Sequence, residues 1–284
     1  MKSAEIKQLR AMTSEQIMND CAVEVKSHLR PLDDTTSPLV VIPAWNEQED
    51  LPRTLLQLSK SYDSPRALVV DNGSEDKTAE YAHHLGAFVI HEDRPTKRRA
   101  MTTAFDILLN DFDHDGPILL TDADTLVTPS WAGALHRLTS TTDQGRGAAV
   151  NTTGVYHQEG KPIYSMAVTA GSQAASLRAR MGGKIRGFGP SMAISVDRTN
   201  QEQVSAITRL ADRSKEKSDV GSNYEIVEAI QRTGGSELTT FDPALRVHTS
   251  ANRYKNMRNL FKLATGNMEK EDLYPEWNER INSN

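Results

Sequence analysis

Residues 117–124 read PILLTDAD, an apolar run that ends in two aspartates. The run lacks the apolar/polar alternation of a half-exposed strand, which is typical of a strand buried on both faces. Three similar runs precede it, at Leu39–Pro43 (LVVIP), Ala67–Asp71 (ALVVD) and Ala87–Ile90 (AFVI), with helical patterns between them. This alternation predicts right-handed βαβ units, and so an α/β fold with a mostly parallel, Rossmann-like sheet and helices on both faces.

The N-terminal segment predicts an amphipathic helix ahead of this sheet. Thr13 and Gln16 match a capping box, and apolar residues follow at helical spacing as far as Leu29. The helix could cover its own domain or a second copy of the chain, which leaves a homo-oligomer open. The predicted organisation is a helix and linker at 1–36, a main domain at 37–266 with halves 37–135 and 136–266, and a tail at 267–284.

Composition and charge make several classes of protein and site unexpected for this chain. The 284 residues carry a formal net charge of -5, which disfavours generic nucleic-acid binding because no global basic field exists. Cys21 is the only cysteine, so no intrachain disulfide framework or cysteine-built zinc site is expected. No stretch of 18 or more apolar residues occurs, and the first residues lack an apolar signal core. We therefore expect a cytoplasmic protein without a membrane span.

Carboxylates follow three of the predicted strands: Glu47, Asp71, and the pair Asp122 and Asp124. Ligands of parallel sheets collect at the carboxyl ends of strands, where these groups would repel one another unless a cation or hydrogen-bond donors offset their charge. On an extended backbone Asp122 and Asp124 would face the same way and reach one ion. Hard oxygen ligands suit Mg²⁺ or Mn²⁺, although an isolated Asp-x-Asp also fits an ordinary turn.

The second strand ends in DNGSED, which has two compatible interpretations. Asp71 could accept a hydrogen bond from the ring N–H of a nucleobase, while Asn72, Gly73 and Ser74 let the chain turn tightly. Alternatively, the segment is a strand-to-helix turn in which Ser74 or Asp76 caps the next helix.

A basic cluster, Arg94, Lys97, Arg98 and Arg99, lies at the start of the helix predicted after the third strand. Cations at a helix N-terminus oppose the helix dipole. A diphosphate held there would remove this conflict.

Taken in order, four segments resemble the nucleotide-sugar half of a family 2 glycosyltransferase with the GT-A fold. They are VVIPAWNEQEDLPRTLLQL (40–58), VVDNGSEDKTAEYAHHLGA (69–87), KRRAMTTAFDIL (97–108) and ILLTDADT (118–125). The resemblance spans about residues 38–135 and continues more weakly through GFGPSMAIS (187–195) and LRVHTSANR (245–253). It implies metal-dependent transfer of a sugar from a UDP- or GDP-linked donor to an acceptor hydroxyl.

The resemblance also implies roles for individual residues. Donor-binding positions are Pro43, Ala44, Trp45 and Glu47 around the nucleoside, Asp71 at the base with Asn72 and Gly73 beside it, Lys97 near the ribose or phosphate, and Asp122 with Ala123 near the ribose or metal. Asp124 would be the direct metal ligand. His248 falls where some relatives supply a further ligand, although a histidine at a strand end is also an ordinary surface residue.

One position departs from the family pattern. Inverting members carry a Glu-Asp pair whose aspartate deprotonates the acceptor, but Ser222 and Asn223 stand there, and asparagine cannot act as a base. Asp219 and Glu225 are the nearest carboxylates. Glu225 also fits a capping box with Ser222, so Asp219 is the preferred candidate. A retaining mechanism would need no such base.

Two other functions remain to be weighed. A catalytically degenerate sugar-nucleotide-binding protein would keep the donor site and lack turnover. A nicotinamide-dependent dehydrogenase would need G-x-G-x-x-G after the first strand, where PAWNEQ stands instead.

Overall fold

The computed structural model describes residues 3–94, 96–112, 114–158, 161–180, 190–210 and 222–250. Its α-helices are α1 (Ser3–Ala11), α2 (Ser14–Asp20), α3 (Ala22–His28), α4 (Leu51–Ser59), α5 (Thr78–His84), α6 (Lys97–Asp106), α7 (Trp131–Thr142), α8 (Pro162–Arg180), α9 (Gln201–Thr208) and α10 (Ser222–Arg232). Its strands are β1 (Leu39–Ala44), β2 (Arg66–Asp71), β3 (Phe88–His91), β4 (Ile118–Leu120), β5 (Thr125–Leu126), β6 (Ala148–Asn151), β7 (Gly154–His157), β8 (Met192–Ser195), β9 (Ser236–Thr239) and β10 (Val247–Ser250).

Within these ranges, seven strands form one sheet in the order β3-β2-β1-β4-β8-β6-β9. The strands β3, β2, β1 and β4 pair in parallel, as does β6 with β9, whereas β8 is antiparallel to both β4 and β6. A second sheet has the order β5-β10-β7. The predicted mixed α/β fold with a mostly parallel sheet is confirmed.

Burial on both faces explains why the strands lack alternation. In β1, Val40 and Ile42 join one buried cluster, and Leu39 and Val41 join the cluster on the other face. The first cluster contains apolar residues of α2 to α5 and α7, and the second contains those of α6, α9 and α10. Helices therefore cover both faces of the sheet, as predicted.

The N-terminal region packs on its own domain. The predicted capping box is confirmed, since Thr13 and Gln16 exchange side-chain and backbone hydrogen bonds at the start of α2. Instead of one helix from the capping box to Leu29, two short helices form, α2 and α3, which meet at Cys21, and α1 precedes them. Ile17 and Val25 are fully buried in the cluster that also contains Leu55 of α4.

Two other expectations need correction. The predicted extended run through residue 124 is wrong, because β4 ends at Leu120 and the Thr125 N–H donates to the Asp122 carbonyl at 3.2 Å, closing a turn. The helix expected at residues 97–109 is α-helical only to Asp106 and continues as a π-helical turn, Ile107–Asp111. No described helix combines the length and apolar character that a bilayer crossing needs.

Candidate active site

The loops after β1 and β2 are tied together by hydrogen bonds. Asn46 N donates to Ser74 Oγ at 2.9 Å, and Asn46 Oδ1 accepts from Glu75 N at 2.9 Å. Glu47 N donates to Thr78 Oγ1 at 2.8 Å. Asn46 has a positive φ of 52°, a conformation that asparagine tolerates better than most residues. The predicted nucleoside-binding segment, Pro43 to Glu47, is thereby held beside the segment that follows Asp71.

Asp71 is the last residue of β2 and is buried, with 4% of its surface exposed. Its Oδ1 accepts from Ser74 N at 3.2 Å, and its Oδ2 lies 3.1 Å from His91 Nδ1. Asp76, rather than Ser74, accepts from the first N–H of α5, that of Thr78, at 2.9 Å. The turn interpretation therefore holds for this loop, and base recognition by Asp71 remains a prediction.

Asn72 organises the loop that leads to α6. Its Nδ2 donates to the carbonyls of Glu92 at 3.2 Å and Arg94 at 2.8 Å, and its Oδ1 accepts from Thr96 N at 2.9 Å. Thr96, whose φ is 115°, is the N-cap of α6 and accepts from Arg99 N at 3.3 Å. The side chain predicted to lie beside a base thus fixes the entry to the helix that carries Lys97.

Glu92 stabilises the same loop. Its carboxylate accepts from Arg94 N at 2.9 Å, Nε at 2.8 Å and Nη2 at 2.7 Å, and also from Thr103 Oγ1 of α6. Burial opposes ionisation of Glu92, but the hydrogen bonds from Arg94 and Thr103 outweigh it and lower its pKa to about 2. Sequence reasoning missed this residue, although a carboxylate two positions before an arginine in a short loop is a detectable signal.

Lys97, the first residue of α6, forms an ion pair with Asp122 Oδ1. Both side chains are largely buried, with 17% and 6% exposed. Asp122 follows β4, and Asp71 ends β2. Since β2 and β4 flank β1, both carboxylates lie at the same edge of the sheet. The structure therefore brings together Lys97 and Asp122, which the sequence predicted on separate grounds.

Asp124 lies beyond the turn and is held by the second sheet. Its Oδ1 accepts from Thr249 Oγ1 of β10 at 3.1 Å and from Thr125 Oγ1 at 3.4 Å. Ala123, which precedes it, is 2% exposed, and its carbonyl accepts from Thr54 Oγ1 at 2.6 Å. Each aspartate of the DAD segment thus has its own protein partners.

Asp124 and His248 both line one cavity of about 810 Å³. His248 pairs with Leu126 of β5 and with Val155 of β7, so it lies in the middle of the second sheet. Burial lowers the pKa of His248 to about 4, and the positive charges of Arg10 and Arg246 act in the same direction. The imidazole is therefore neutral near pH 7, which is the form that binds metals.

Asp124 and His248 supply two of the ligands that a divalent cation needs. The described residues contain no group of three or more His, Cys, Asp or Glu side chains that could hold an ion. Mg²⁺ and its analogues, however, are commonly bound by one or two carboxylates with substrate phosphates completing the shell. A carboxylate and a neutral imidazole facing one cavity suit such a substrate-completed site.

Of the two candidate bases, only Glu225 lies within the described residues. Asp219 lies outside the described residues, as does part of the weakly similar segment at 187–195. Glu225, on the first turn of α10, accepts from Arg98 Nη2 at 2.9 Å. Arg98 is 4% exposed, so this contact joins α10 to α6. The role of either carboxylate as a base remains a prediction.

The family model for glycosyl transferase family 2 matches residues 39–180. The chain belongs to this family.

Curated relatives match over short segments. The chain is 50% identical over 56 residues to an uncharacterized glycosyltransferase of Mycobacterium tuberculosis, which covers 20% of this chain and 24% of that protein. It is 42% identical over 57 residues to the 4,4'-diaponeurosporenoate glycosyltransferase of Staphylococcus haemolyticus, covering 20% and 15%. The matches therefore span no more than about a quarter of each relative.

Solved structures resemble the chain over most of its length at low identity. The mannosyltransferase PcManGT from Pyrobaculum calidifontis, in complex with GDP-Man and Mn²⁺, is 16% identical with a TM-score of 0.47 and covers 98% of this chain and 80% of its own. Glucosyl-3-phosphoglycerate synthase from Mycobacterium tuberculosis, in complex with Mn²⁺ and UDP-glucose, is 20% identical with a TM-score of 0.49 and covers 86% and 79%. Similarity at this level leaves the substrates of this chain unassigned.

Proposed function

We propose that this protein is a glycosyltransferase that moves a sugar from a nucleoside diphosphate sugar to an acceptor hydroxyl with the help of a divalent cation. The observation that supports this most is that Asp124 and His248, distant in sequence, line one cavity. Asp124 is two residues after Asp122, whose partner Lys97 opens α6. A carboxylate, an imidazole and an ammonium group are thus available around a ligand that carries a diphosphate.

The donor would bind across the ends of β1, β2 and β4. Asp71 would accept from the base, in a loop that the contacts of Asn46 and Asn72 hold in place. Lys97 would share its ammonium group between Asp122 and a phosphate oxygen. Lys97 can contact both groups at once, because one ammonium group can donate three hydrogen bonds.

Mg²⁺ or Mn²⁺, held by Asp124 and His248, would offset the negative charge that develops on the leaving diphosphate. Asp124 is suited to this role because its tether to Thr249 fixes the carboxylate, which reduces the ordering needed when the donor binds.

The acceptor hydroxyl would be deprotonated by Asp219 if the reaction inverts the anomeric centre. Glu225 is the alternative, but its contact with Arg98 gives it a structural task. Retention of configuration would need neither residue as a base.

Donor hydrolysis and binding test this proposal. The protein is incubated with UDP- and GDP-linked hexoses, with Mn²⁺, Mg²⁺ or EDTA, and released nucleoside diphosphate is measured. We expect metal-dependent release that Asp124→Asn abolishes and that Asp111→Asn, an exposed control, leaves unchanged. Failure of all these nucleotides to bind contradicts the proposal, whereas binding with no turnover and no transfer to any acceptor supports a degenerate binding protein.

A further inference from the structure

The inner face of α8 carries polar side chains that bond to β7 and the residue after it. Thr169 Oγ1 accepts a hydrogen bond from Tyr156 N at 2.9 Å, and Ser165 Oγ accepts one from Gln158 N at 2.8 Å. Val168 is fully buried and lies on the same side of the helix, because it is three residues after Ser165. Two hydroxyl groups and one apolar side chain therefore hold α8 on the domain.

The outer face of α8 is apolar. In residues 162–174, the part of this helix whose side chains the structure describes, every exposed side chain is apolar: Pro162, Ile163, Met166, Ala170 and Ala174. Ile163 is 83% exposed and Met166 is 73% exposed. The last four of these residues recur at helical spacing, so they form one stripe along the helix. We call this set the α8 stripe.

This arrangement inverts the usual pattern of a surface helix. Such a helix buries its apolar side chains and exposes polar or charged ones. In α8, serine and threonine face the domain, whereas isoleucine and methionine face outwards. Contiguous exposed apolar surface is typical of a site that another apolar surface covers. The α8 stripe therefore indicates a docking surface.

The sequence around α8 is basic, although the chain as a whole is acidic. Residues 160–196 contain five Lys and Arg and no Asp or Glu, whereas the formal net charge of the full chain is -5. The five are Lys161, Arg178, Arg180, Lys184 and Arg186. Lys161 directly precedes α8 and is exposed, and the last turn of α8 contains Arg178 and Arg180. The partner of this segment is therefore expected to be anionic.

We propose that the α8 stripe docks on an anionic membrane surface. Helices that lie in the plane of a bilayer combine an apolar face with an excess of Lys and Arg. The negative potential of anionic lipids attracts such basic segments. A second copy of the chain is a poorer occupant, because pairing through α8 would bring two segments of the same positive charge together. The inference concerns the outer surface of α8 and does not depend on the proposed transfer reaction.

Vesicle sedimentation with the full chain tests this proposal. The wild type, Ile163→Gln, Met166→Gln and the double variant are mixed with vesicles of phosphatidylcholine alone, or of phosphatidylcholine and phosphatidylglycerol in equal amounts. Val23→Gln, at a side chain of α3 that is 87% exposed, is the matched control. Circular dichroism and urea unfolding show whether each variant is folded.

We expect binding to the anionic vesicles that weakens roughly tenfold or more in the double variant, because two apolar side chains no longer leave water. The control should change less than about twofold, and added salt should weaken binding throughout. Absent binding to anionic vesicles, or binding that the double variant retains, would overturn the proposal. Equal binding to neutral vesicles would overturn the anionic surface as the partner. A dimer in sedimentation velocity without lipid that the double variant loses would assign the stripe to a second copy instead.

A fluorescent label provides a second measurement that does not rely on a loss of binding. Cys21 is the only cysteine, so Met166→Cys and Val23→Cys in a Cys21→Ser background each carry one environment-sensitive fluorophore. With anionic vesicles, emission of the label at position 166 should shift to the blue, and that of the label at position 23 should not. An unshifted label at position 166 would contradict contact between the stripe and lipid.

Discussion

The side-chain carbonyl of Asn72 accepts a hydrogen bond from the backbone N–H of Thr96 at 2.9 Å, across the ends of β2 and the loop before α6. With the two bonds that Asn72 Nδ2 donates to the carbonyls of Glu92 and Arg94, it fixes both the start of that loop and its end. The position of Lys97 therefore depends on a residue whose own side chain is 2% exposed.

Asn72→Ala should destabilise the protein by about 2–3 kcal/mol, because it leaves buried backbone groups without a partner. It should also weaken nucleoside diphosphate binding through Lys97. Urea unfolding and calorimetry measure the two effects. Asn110→Ala, which removes only an exposed contact with Asp106, is the control. Wild-type stability in Asn72→Ala would contradict this role.

The Lys97 and Asp122 pair predicts a coupled response. Lys97→Met alone should cost about 3 kcal/mol of stability, because it leaves the Asp122 carboxylate buried without its counter-ion. Adding Asp122→Asn should recover part of that loss. Urea unfolding of the two single variants and the double variant gives the coupling. Additive losses would mean that the two groups do not interact in solution.

Asp71→Asn should weaken the binding of nucleosides and nucleoside diphosphates alike, since the carboxylate is proposed to contact the base. A hydrogen bond to a charged group contributes about 1.5–3 kcal/mol, which corresponds to a loss of roughly tenfold or more. Metal dependence should be unchanged. Calorimetry with nucleoside, nucleoside diphosphate and Mn²⁺ separates these effects, and unaltered nucleoside affinity would retire the assignment.

Asp124→Asn should weaken Mn²⁺ binding in the presence of nucleoside diphosphate, because the ion loses a charged oxygen ligand. His248→Ala should have a milder effect, since water can replace one ligand. Mn²⁺ titration calorimetry of both variants and the wild type measures this. If Asp124→Asn binds Mn²⁺ like the wild type, the metal site is wrongly placed. If only His248→Ala does, the histidine alone is excluded.

His114 makes stability depend on pH. Burial and the positive charge of Arg66 lower the pKa of its imidazole to about 4 in the folded protein. In the unfolded chain the ordinary pKa is near 6.5. Between these two pH values the unfolded chain therefore binds a proton that the folded protein does not. The contribution of His114 is present in full above pH 6.5 and is lost as the pH falls towards 4, by about 3 kcal/mol. Urea unfolding at pH 7 and pH 4.5 should show a smaller loss for His114→Gln than for the wild type. His84→Gln, at an exposed position, should behave like the wild type.

Local patterns predicted the parts of the structure that depend on neighbours in sequence. The buried strands, the capping box at Thr13 and the placing of Lys97 at a helix start are of this kind, since each follows from spacing within about ten residues. The DAD segment shows the limit. The apolar run before it predicts that the strand continues, but the bond from Thr125 N to the Asp122 carbonyl closes a turn, and Thr249 of β10 fixes Asp124 from far along the chain.

Contacts between distant segments were not predictable in this way. Asparagine is common in turns, so the sequence around Asn72 predicts only a turn. The chain returns through β3, and this return brings Glu92 and Thr96 to the Asn72 side chain. The burial of Ile17 and Val25 against α4 likewise depends on the tertiary arrangement, because an amphipathic helix does not specify its partner. The domain boundaries and the roles of Asp219 and Glu225 remain predictions for the same reason.

The central place of β8 in the large sheet has a consequence for how the protein forms during synthesis. β8 is antiparallel to β4 on one side and to β6 on the other, although both neighbours precede it in the chain. Until residues 192–195 leave the ribosome, β4 has one unpaired edge and β6 has two, because the other neighbour of β6, β9, follows later still. Unpaired edges invite pairing with other chains, so a pause in translation between β6 and β8 is the interval in which a nascent chain is most exposed to aggregation.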